Sequence, residues 1–455
     1  MSELQNKINE ALTFHKAGKF KEAEEIYNKL LGLKYDDPGL LYLMGDLCAR
    51  TGRYGVAINL FAACLQIKPD FQEALIDLGV AFKACHHNVM AKAAWERAIE
   101  VAKPVSEIYT NLATLYADSG NPDEALKWIE KAEAMGVDDF RMRWNKALAL
   151  LSKGEWSEAW GYHEARRSLE LWHPRTRYKL DDWDGEPGKH VLVHGEQGLG
   201  DEIMYLSCMP DVLALAKRVT MEVEPRLIPI VERSFGVQAF ASENETPPLG
   251  YDCQIPLATL PKLFRNTDES FPGTPYLKPN PTLVEQFKRE LRKLGPPPYI
   301  ALGWYGGIQA TRPQERTIPP GFLTPIRAGF TCVSAQYGIW AAQDAMQVAL
   351  PVLEATHGKD LDAQMALVAA VDLVVTPPQT LVHVAGSVGT PAIVLTPSTC
   401  SWRYGIRGER MPWYGSVRLM RQANPGDWRE LIDRVAKEVE VMFKPLETEQ
   451  CASAS

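Results

Sequence analysis

The 455-residue chain has no Cys-x-x-Cys pair, and its eight cysteines, at 48, 64, 85, 208, 253, 332, 400 and 451, keep no metal-like spacing with histidine. Neither structural disulfides nor a zinc site is expected, and the thiols read as buried or incidental. Also missing is any apolar run long enough to span a bilayer, and the opening MSELQNKINE carries charge where a secretory signal would have an apolar core. A cytoplasmic protein without a membrane span is the expectation. Positive charge is not in excess either: 49 basic against 57 acidic side chains leave a formal charge of -8, which argues against nucleic acid as a partner. With 46% hydrophobic and 23% charged residues the composition is that of a globular protein, and the length suits about three domains.

What the chain does have is a repeat. Alanine recurs at 23, 57, 91, 125 and 159, in steps of 34 residues, and twelve residues before each stands another small residue: Ala11, Gly45, Gly79, Ala113 and Ala147. Four residues after each alanine come Tyr27, Phe61, Trp95, Ile129 and, in the fifth repeat, His163. Small residues let the two helices of a hairpin approach and a bulky one fills the next hole, so each repeat is read as a helix pair stacked on its neighbour. Repeat length and residue pattern resemble the tetratricopeptide family over about residues 4 to 168. Such arrays imply a protein partner; dimerisation, or packing on the rest of the chain, is the other use of the surface. In the fifth repeat His163 and Arg166 occupy places where apolar or small residues are usual, as in a repeat that caps the array or docks on the next domain.

After a stretch rich in proline, glycine and charge the pattern changes to α/β. Residues 190–193 read as a strand, Glu196-Gln197-Gly198-Leu199-Gly200-Asp201 as a glycine loop, Ile203 to Arg218 as a helix with Pro210 inside it, and 219–223 as a second strand. Such a βαβ unit starts a parallel sheet with ligands at the carboxyl ends of its strands. A second unit begins with the strand 299–304, ending in Gly303-Trp304, and continues through strands at 330–334, 372–376 and 392–395, a short helix 379–388, and an amphipathic helix over 427–443.

The glycine loop has the wrong spacing for a dinucleotide fingerprint, and no Gly-Lys-Ser/Thr follows it. Glycines admit close backbone approach, and Asp201 has two readings, a helix cap or a general base. Trp304 has two readings as well, an aromatic stacking platform and a core residue. Arginines at 403, 407, 410, 418 and 421 face one acid, Glu409, between 402 and 422, a local excess that suits an anion-facing surface led by Arg403 and Arg407, or a solvated loop.

The order of EWSEAWGYHEAR at 155–166, the loop 196–201, Phe271-Pro272, Pro275-Tyr276-Leu277, Gly303-Trp304, Arg316-Thr317-Ile318-Pro319, 382–386, Trp402-Arg403 and Pro412-Trp413-Tyr414 resembles bacterial tetratricopeptide proteins fused to a family-9, heptosyltransferase-like glycosyltransferase domain. The resemblance implies a multi-domain chain, an all-α repeat array followed by an α/β GT-B fold of two Rossmann-like domains. The expected boundaries are repeats 1–168, linker 169–187, an acceptor-side domain 188–296, a donor-side domain 297–445 and a tail 446–455. It also implies a nucleotide-sugar donor, transfer with inversion to an acceptor hydroxyl, Asp201 as base, and no metal or cofactor. Glu196, Gln197, Gly198 and Gly200 would form the acceptor-side loop, and Gly303, Trp304, Arg316, Gln379, Thr380 and His383 the donor side, where Arg316, with Arg312 as the looser alternative, and His383 would hold the leaving phosphates, against a solvated loop and a packed helix histidine respectively. The family's Asp-Thr/Ser pair is replaced here by Pro378-Gln379, and two prolines there remove backbone donors. A scaffold whose GT-B-like domain has lost activity is therefore the alternative. An Asp-x-Asp triplet at 182–184 falls in the expected linker, where a metal site is not anticipated.

Overall fold

The computed structural model describes residues 3–34, 36–168, 180–241, 250–306, 316–338, 341–353 and 360–443, and the chain divides into two compact units, Met1–Ala149 and Leu150–Ser455. Helix pairs occur at the 34-residue period: α1 (Glu3–Lys16) with α2 (Phe20–Leu33), α3 (Pro38–Arg50) with α4 (Tyr54–Ile67), α5 (Gln72–Ala84) with α6 (Asn88–Val101), α7 (Ser106–Asp118) with α8 (Pro122–Ala134), and α9 (Phe140–Lys153) followed by α10 (Trp156–His163). The repeating alanines and the bulky Tyr27, Phe61, Trp95 and Ile129 are all fully buried. Glycine is required where the partner is largest: a Cβ on Gly45 would lie 2.6 Å from the Phe61 ring, and one on Gly79 2.3 Å from the Trp95 indole. That indole donates to the Ile76 carbonyl at 3.0 Å, which satisfies its one polar atom inside the core. Asp37 and Asn121 start α3 and α8 by accepting from Leu40 N and Glu124 N, each followed by proline in the first turn.

The unit boundary falls at Ala149, ahead of the end of the repeat pattern at 168. Helix α10 thus belongs to the α/β unit. Trp156 donates to Asp268 at 2.8 Å and Trp160 to the Arg265 carbonyl at 2.7 Å, and Trp160 sits edge-on to Trp402 and Trp413. His163 and Arg166 are buried in the same seam, which explains their departure from the repeat pattern.

In the second unit β1 (His190–His194) leads to α11 (Leu199–Tyr205), a 3-10 turn at Leu206–Cys208, α12 (Met209–Leu215) and β2 (Arg218–Glu222). The expected single helix 203–218 is therefore two helices that begin four residues earlier and stop before the strand. Pro210 lacks the N–H that a continuous helix would direct at residue 206, and the chain tightens to a 3-10 turn just ahead of it. Next come α13 (Ile228–Phe235), β3 (Gln238–Phe240), β4 (Cys253–Pro256), α14 (Leu260–Phe264) and α15 (Pro281–Leu294). Strands β1–β4 form a parallel sheet in the order β3-β2-β1-β4.

A second sheet is built from β5 (Tyr299–Leu302), α16 (Thr324–Arg327), β6 (Thr331–Ser334), α17 (Ala341–Gln347), α18 (Leu361–Ala370), β7 (Leu373–Thr376), α19 (Thr380–Val388), β8 (Ala392–Thr396), β9 (Val417–Arg421) and α20 (Trp428–Phe443). Its strands are parallel in the order β6-β5-β7-β8-β9, packed on a core that includes Ile300, Leu302, Val375, Ile393 and the α20 face Trp428, Leu431, Ile432 and Val435. Strand β9 corrects the reading of 402–422 as an anion-facing surface or loop. Residues 417–421 of that stretch form a sheet edge, and two of its arginines are engaged there: Arg418 with Glu409 and Glu438, Arg421 with the Tyr404 and Gly408 carbonyls.

The expected linker 169–187 is corrected in part. Residues 169–179 lie outside the described residues, as do those of the expected tail, but Asp182 bridges Gln254 beside β4, and Trp183 is buried with its amide donating to the Gln254 carbonyl. Asp182 pairs with Arg167, and the Asp184 carboxylate accepts from Glu186 N.

Candidate functional site

In an open parallel sheet a crevice forms at the carboxyl ends of the two strands where the chain reverses its direction of travel across the sheet. Here those pairs are β1/β4 and β5/β7. The first crevice is bordered by the glycine loop and by Leu257–Thr259, the second by Gly303–Gly306 and by Pro377–Gln379. The helices that leave them meet. A Cβ on Gly200 of α11 would lie 3.1 Å from His383 Cδ2 and 3.5 Å from Thr380 Oγ1, both on α19. Glycine at 200 is what permits this approach.

Asp201 lies on the α11 side of the meeting point. Gly198 is the N-cap and Asp201 the third helical residue, with no side-chain cap bond, so the capping role considered from sequence is not the one adopted. Its carboxylate is instead held by Arg403, whose Nε donates at 2.6 Å and whose Nη2 also pairs with it. Arg403 stands on a 3-10 turn, Trp402–Tyr404, after β8; its guanidinium lies over the Trp402 ring and donates to Ser401 Oγ at 2.9 Å. The anion-facing role expected of Arg403 is thus taken by an internal anion, while Arg407 is exposed and outside the cluster.

His383 is buried, with Nδ1 3.0 Å from the Tyr414 hydroxyl. Tyr414 lies 3.4 Å from the Tyr276 hydroxyl, which donates to the Ile203 carbonyl at 2.6 Å, so this chain ties α19 back to α11. A Cβ on Gly386 would clash with the Tyr414 ring at 2.2 Å, and the Gly415 amide donates to the Gly273 carbonyl at 2.8 Å. Burial, with Asp201 pulling the other way and Arg403 adding to it, pushes His383 down to about 4, and burial does the same to His194. His163 is lowered as well, first by burial and then by Arg166 and Arg403.

These rings are neutral in the native chain at pH values where the unfolded chain, titrating near the ordinary value of 6.5, is already protonated. Stability is then fully present above about pH 6.5 and falls as pH drops towards 4, by about 1.4 kcal/mol per pH unit for each such histidine. Urea unfolding at pH 7.5 and 5.0 checks this. A slope across that window that His383→Asn and His194→Asn leave unchanged would refute it.

Other sequence candidates occupy structural positions. Glu196, expected on the acceptor side, is buried: Arg166 Nη2 donates to it at 2.6 Å, and the Ala258 amide at 3.1 Å. The same guanidinium reaches Glu164 at 2.6 Å and Thr259 Oγ1 at 2.8 Å. Burial opposes its charge, but Glu196 and Glu164 outweigh burial, so Arg166 is held protonated. Gln197 and Gly198 remain exposed at the loop tip, Gln197 in the left-handed region at φ 66°.

In the second crevice Gln379 turns inward. Its Nε2 donates to Thr376 Oγ1 at 2.6 Å, and its amide meets that of Gln336, whose Oε1 accepts from the Trp304 and Tyr305 amides at 2.9 and 3.1 Å. A Cβ on Gly303 would lie 2.5 Å from Gln379 Nε2, and one on Gly306 2.4 Å from Gln379 Cβ. These glycines make room for the protein's own glutamine. Trp304 belongs to the core at 1% exposure and donates to Asp344 at 3.3 Å, which corrects the stacking role; Tyr305 beside it faces an open hollow of about 640 Å³ also lined by Thr317, Pro319 and Asp344. Arg316 Nη1 donates to the Pro378 carbonyl at 3.1 Å; the alternative Arg312 lies outside the described residues.

The structure thus brings Gly200, Asp201, Thr380, His383 and Arg403 together, and sets Gly303, Trp304, Arg316 and Gln379 around a neighbouring polar core. Sequence reasoning missed Tyr205, which packs edge-on to Trp413, and Gln336. The one signal for Gln336 was a polar residue two positions beyond the strand expected at 330–334. No group of three or more metal-ligating side chains occurs among the described residues, and no described helix is long and apolar enough to cross a membrane.

The tetratricopeptide repeat family model matches residues 8–70, 91–136 and 110–166. Over a 493-residue alignment the chain is 28% identical to Protein FlbA of Caulobacter vibrioides, covering 94% of this chain and 82% of that protein. It is 25% identical over 164 residues to Protein O-mannosyl-transferase TMTC3 of Homo sapiens, 32% of this chain but 18% of that protein. Among solved structures it is similar to the MamA protein, with 22% identity, a TM-score of 0.33, and coverage of 37% of this chain and 96% of that one. The N-terminal part is therefore a tetratricopeptide array, a repeat type that points to protein interaction, and the remainder is a parallel-sheet α/β region.

Proposed function

We propose that the α/β unit transfers a sugar from a nucleotide-sugar donor to an acceptor hydroxyl, and that the repeats recruit a protein as acceptor or partner. The observation that carries this is the meeting of the two crevices at Gly200, which sets a carboxylate, Asp201, beside His383 and Arg403. Two parallel sheets facing each other in this way suit a GT-B arrangement. The partial likeness to a protein named as a mannosyltransferase points in the same direction.

In this reaction Asp201 takes the proton of the acceptor hydroxyl, whose oxygen bonds to the anomeric carbon as the carbon–phosphate oxygen bond breaks. The nucleoside diphosphate leaves with the bonding pair, and a single displacement inverts the centre. Arg403 and Arg316 supply positive charge to the departing phosphates, so the scheme calls for no metal. His383, uncharged in its buried place, contributes through hydrogen bonding. The hollow beside Tyr305 offers an aromatic face and the Asp344 carboxylate to a base.

A second reading, a scaffold without turnover, is favoured by one observation: Gln379 fills the β5/β7 crevice where donor phosphates would approach. Melting of the full chain against a panel of nucleoside diphosphates and nucleotide sugars separates the two. A donor raises the melting temperature by mass action, by about 2.7 kcal/mol of stability at a hundredfold excess over Kd. If every nucleotide leaves the melting temperature unmoved, the transferase proposal falls and the scaffold stands.

A further inference from the structure

We infer that the Arg403–Asp201 pair is a latch opened by the donor's diphosphate, so that the base is released only when a donor is in place. This rests on the transferase proposal and adds its regulation. Asp201 projects from the first sheet's α11 and Arg403 from the loop after β8 of the second, so the pair spans the two crevices. No helix donor competes for the carboxylate, because Gly198 rather than Asp201 caps α11. Arg403 is its holder.

The turn that carries Arg403 is fixed, with Trp402 and Tyr404 6% and 4% exposed, but the Arg403 side chain is 21% exposed and that of Asp201 19%. A firm backbone with an accessible side chain is what partner exchange requires. Arginine binds phosphate in the same two-pronged way as carboxylate, and a diphosphate brings more negative charge than one aspartate. Ser401 Oγ, already a partner of Nη1, keeps the guanidinium oriented during the exchange. On exchange the carboxylate loses its counter-charge and is free to meet an acceptor hydroxyl. Donor binding then precedes productive acceptor binding, and the ligand-free chain holds its base paired.

The test is calorimetric titration of the full chain with inorganic pyrophosphate, with unliganded melting and near-UV circular dichroism as controls for folding. Asp201→Asn removes the competing charge, so it is expected to bind pyrophosphate about tenfold tighter than the parent, or about 1.4 kcal/mol. Arg403→Gln is expected to weaken binding tenfold or more, with Arg403→Lys recovering part. A general loss of structure would weaken binding in both variants and does not reproduce the opposite signs. Equal affinity in the parent and Asp201→Asn, or no binding in any variant, overturns the latch. The two proposals fail separately. Nucleotide sugars that bind parent and Asp201→Asn alike leave a transferase without a latch, whereas tighter pyrophosphate in Asp201→Asn with no nucleotide recognised leaves a latch without a transferase.

Discussion

Asp201→Asn is expected to lower sugar transfer by about 10²–10⁴-fold, the range over which a positioned general base acts. Asparagine keeps the shape and one acceptor oxygen, so the helix and its Gly198 cap are undisturbed. What disappears is the ability to take a proton, together with the charge that holds Arg403. The loss should fall on kcat while donor binding is not weakened, the pattern left when an interaction made only in the transition state is removed. The check is a transfer assay with whichever nucleotide sugar raises the melting temperature. Turnover within threefold of the parent would remove Asp201 from the chemistry.

Arg166→Met should destabilise the α/β unit by about 3–5 kcal/mol, because it takes the Arg166 guanidinium from buried Glu196. Both side chains are nearly inaccessible, and Arg166 serves Glu196, Glu164 and Thr259 at once. Replacing both ends by methionine should recover most of the loss, since removing a buried pair together spares the cost of a stranded ion. Urea unfolding of parent, single and double variants measures this. A single variant within 1 kcal/mol of the parent would mean that Glu196 finds another cation or water. Transfer is not the readout here, because Glu196 is buried in this ion pair.

The repeats were legible because their information is local and periodic: a 34-residue step, a small residue, and a bulky one that fills the gap. Strands β1, β5, β7 and β8 were legible as apolar runs, whereas β3, with three residues, and β9, interrupted by arginines, give no such run. The site was legible only in its parts. Asp201 and Arg403 are 202 residues apart, and no local pattern announces their pairing. The replacement at Pro378-Gln379 did mark a place of interest, but not that the glutamine would turn inward and occupy the room left by Gly303 and Gly306. Glu196 was misplaced for a related reason, since its partner Arg166 comes from the last repeat.

The membership of α10 in the α/β unit decides where this protein can be divided. Excision of the repeats at the end of their sequence pattern, Ser168, would take away Trp156, Trp160 and Arg166, baring aromatic faces and depriving buried Glu196 of the Arg166 guanidinium. A division ahead of Leu150 leaves that seam whole but falls within α9, so the helix has to be rebuilt across the junction. The boundary between the two units therefore lies inside the fifth repeat, whose second helix is part of the α/β unit rather than of the array.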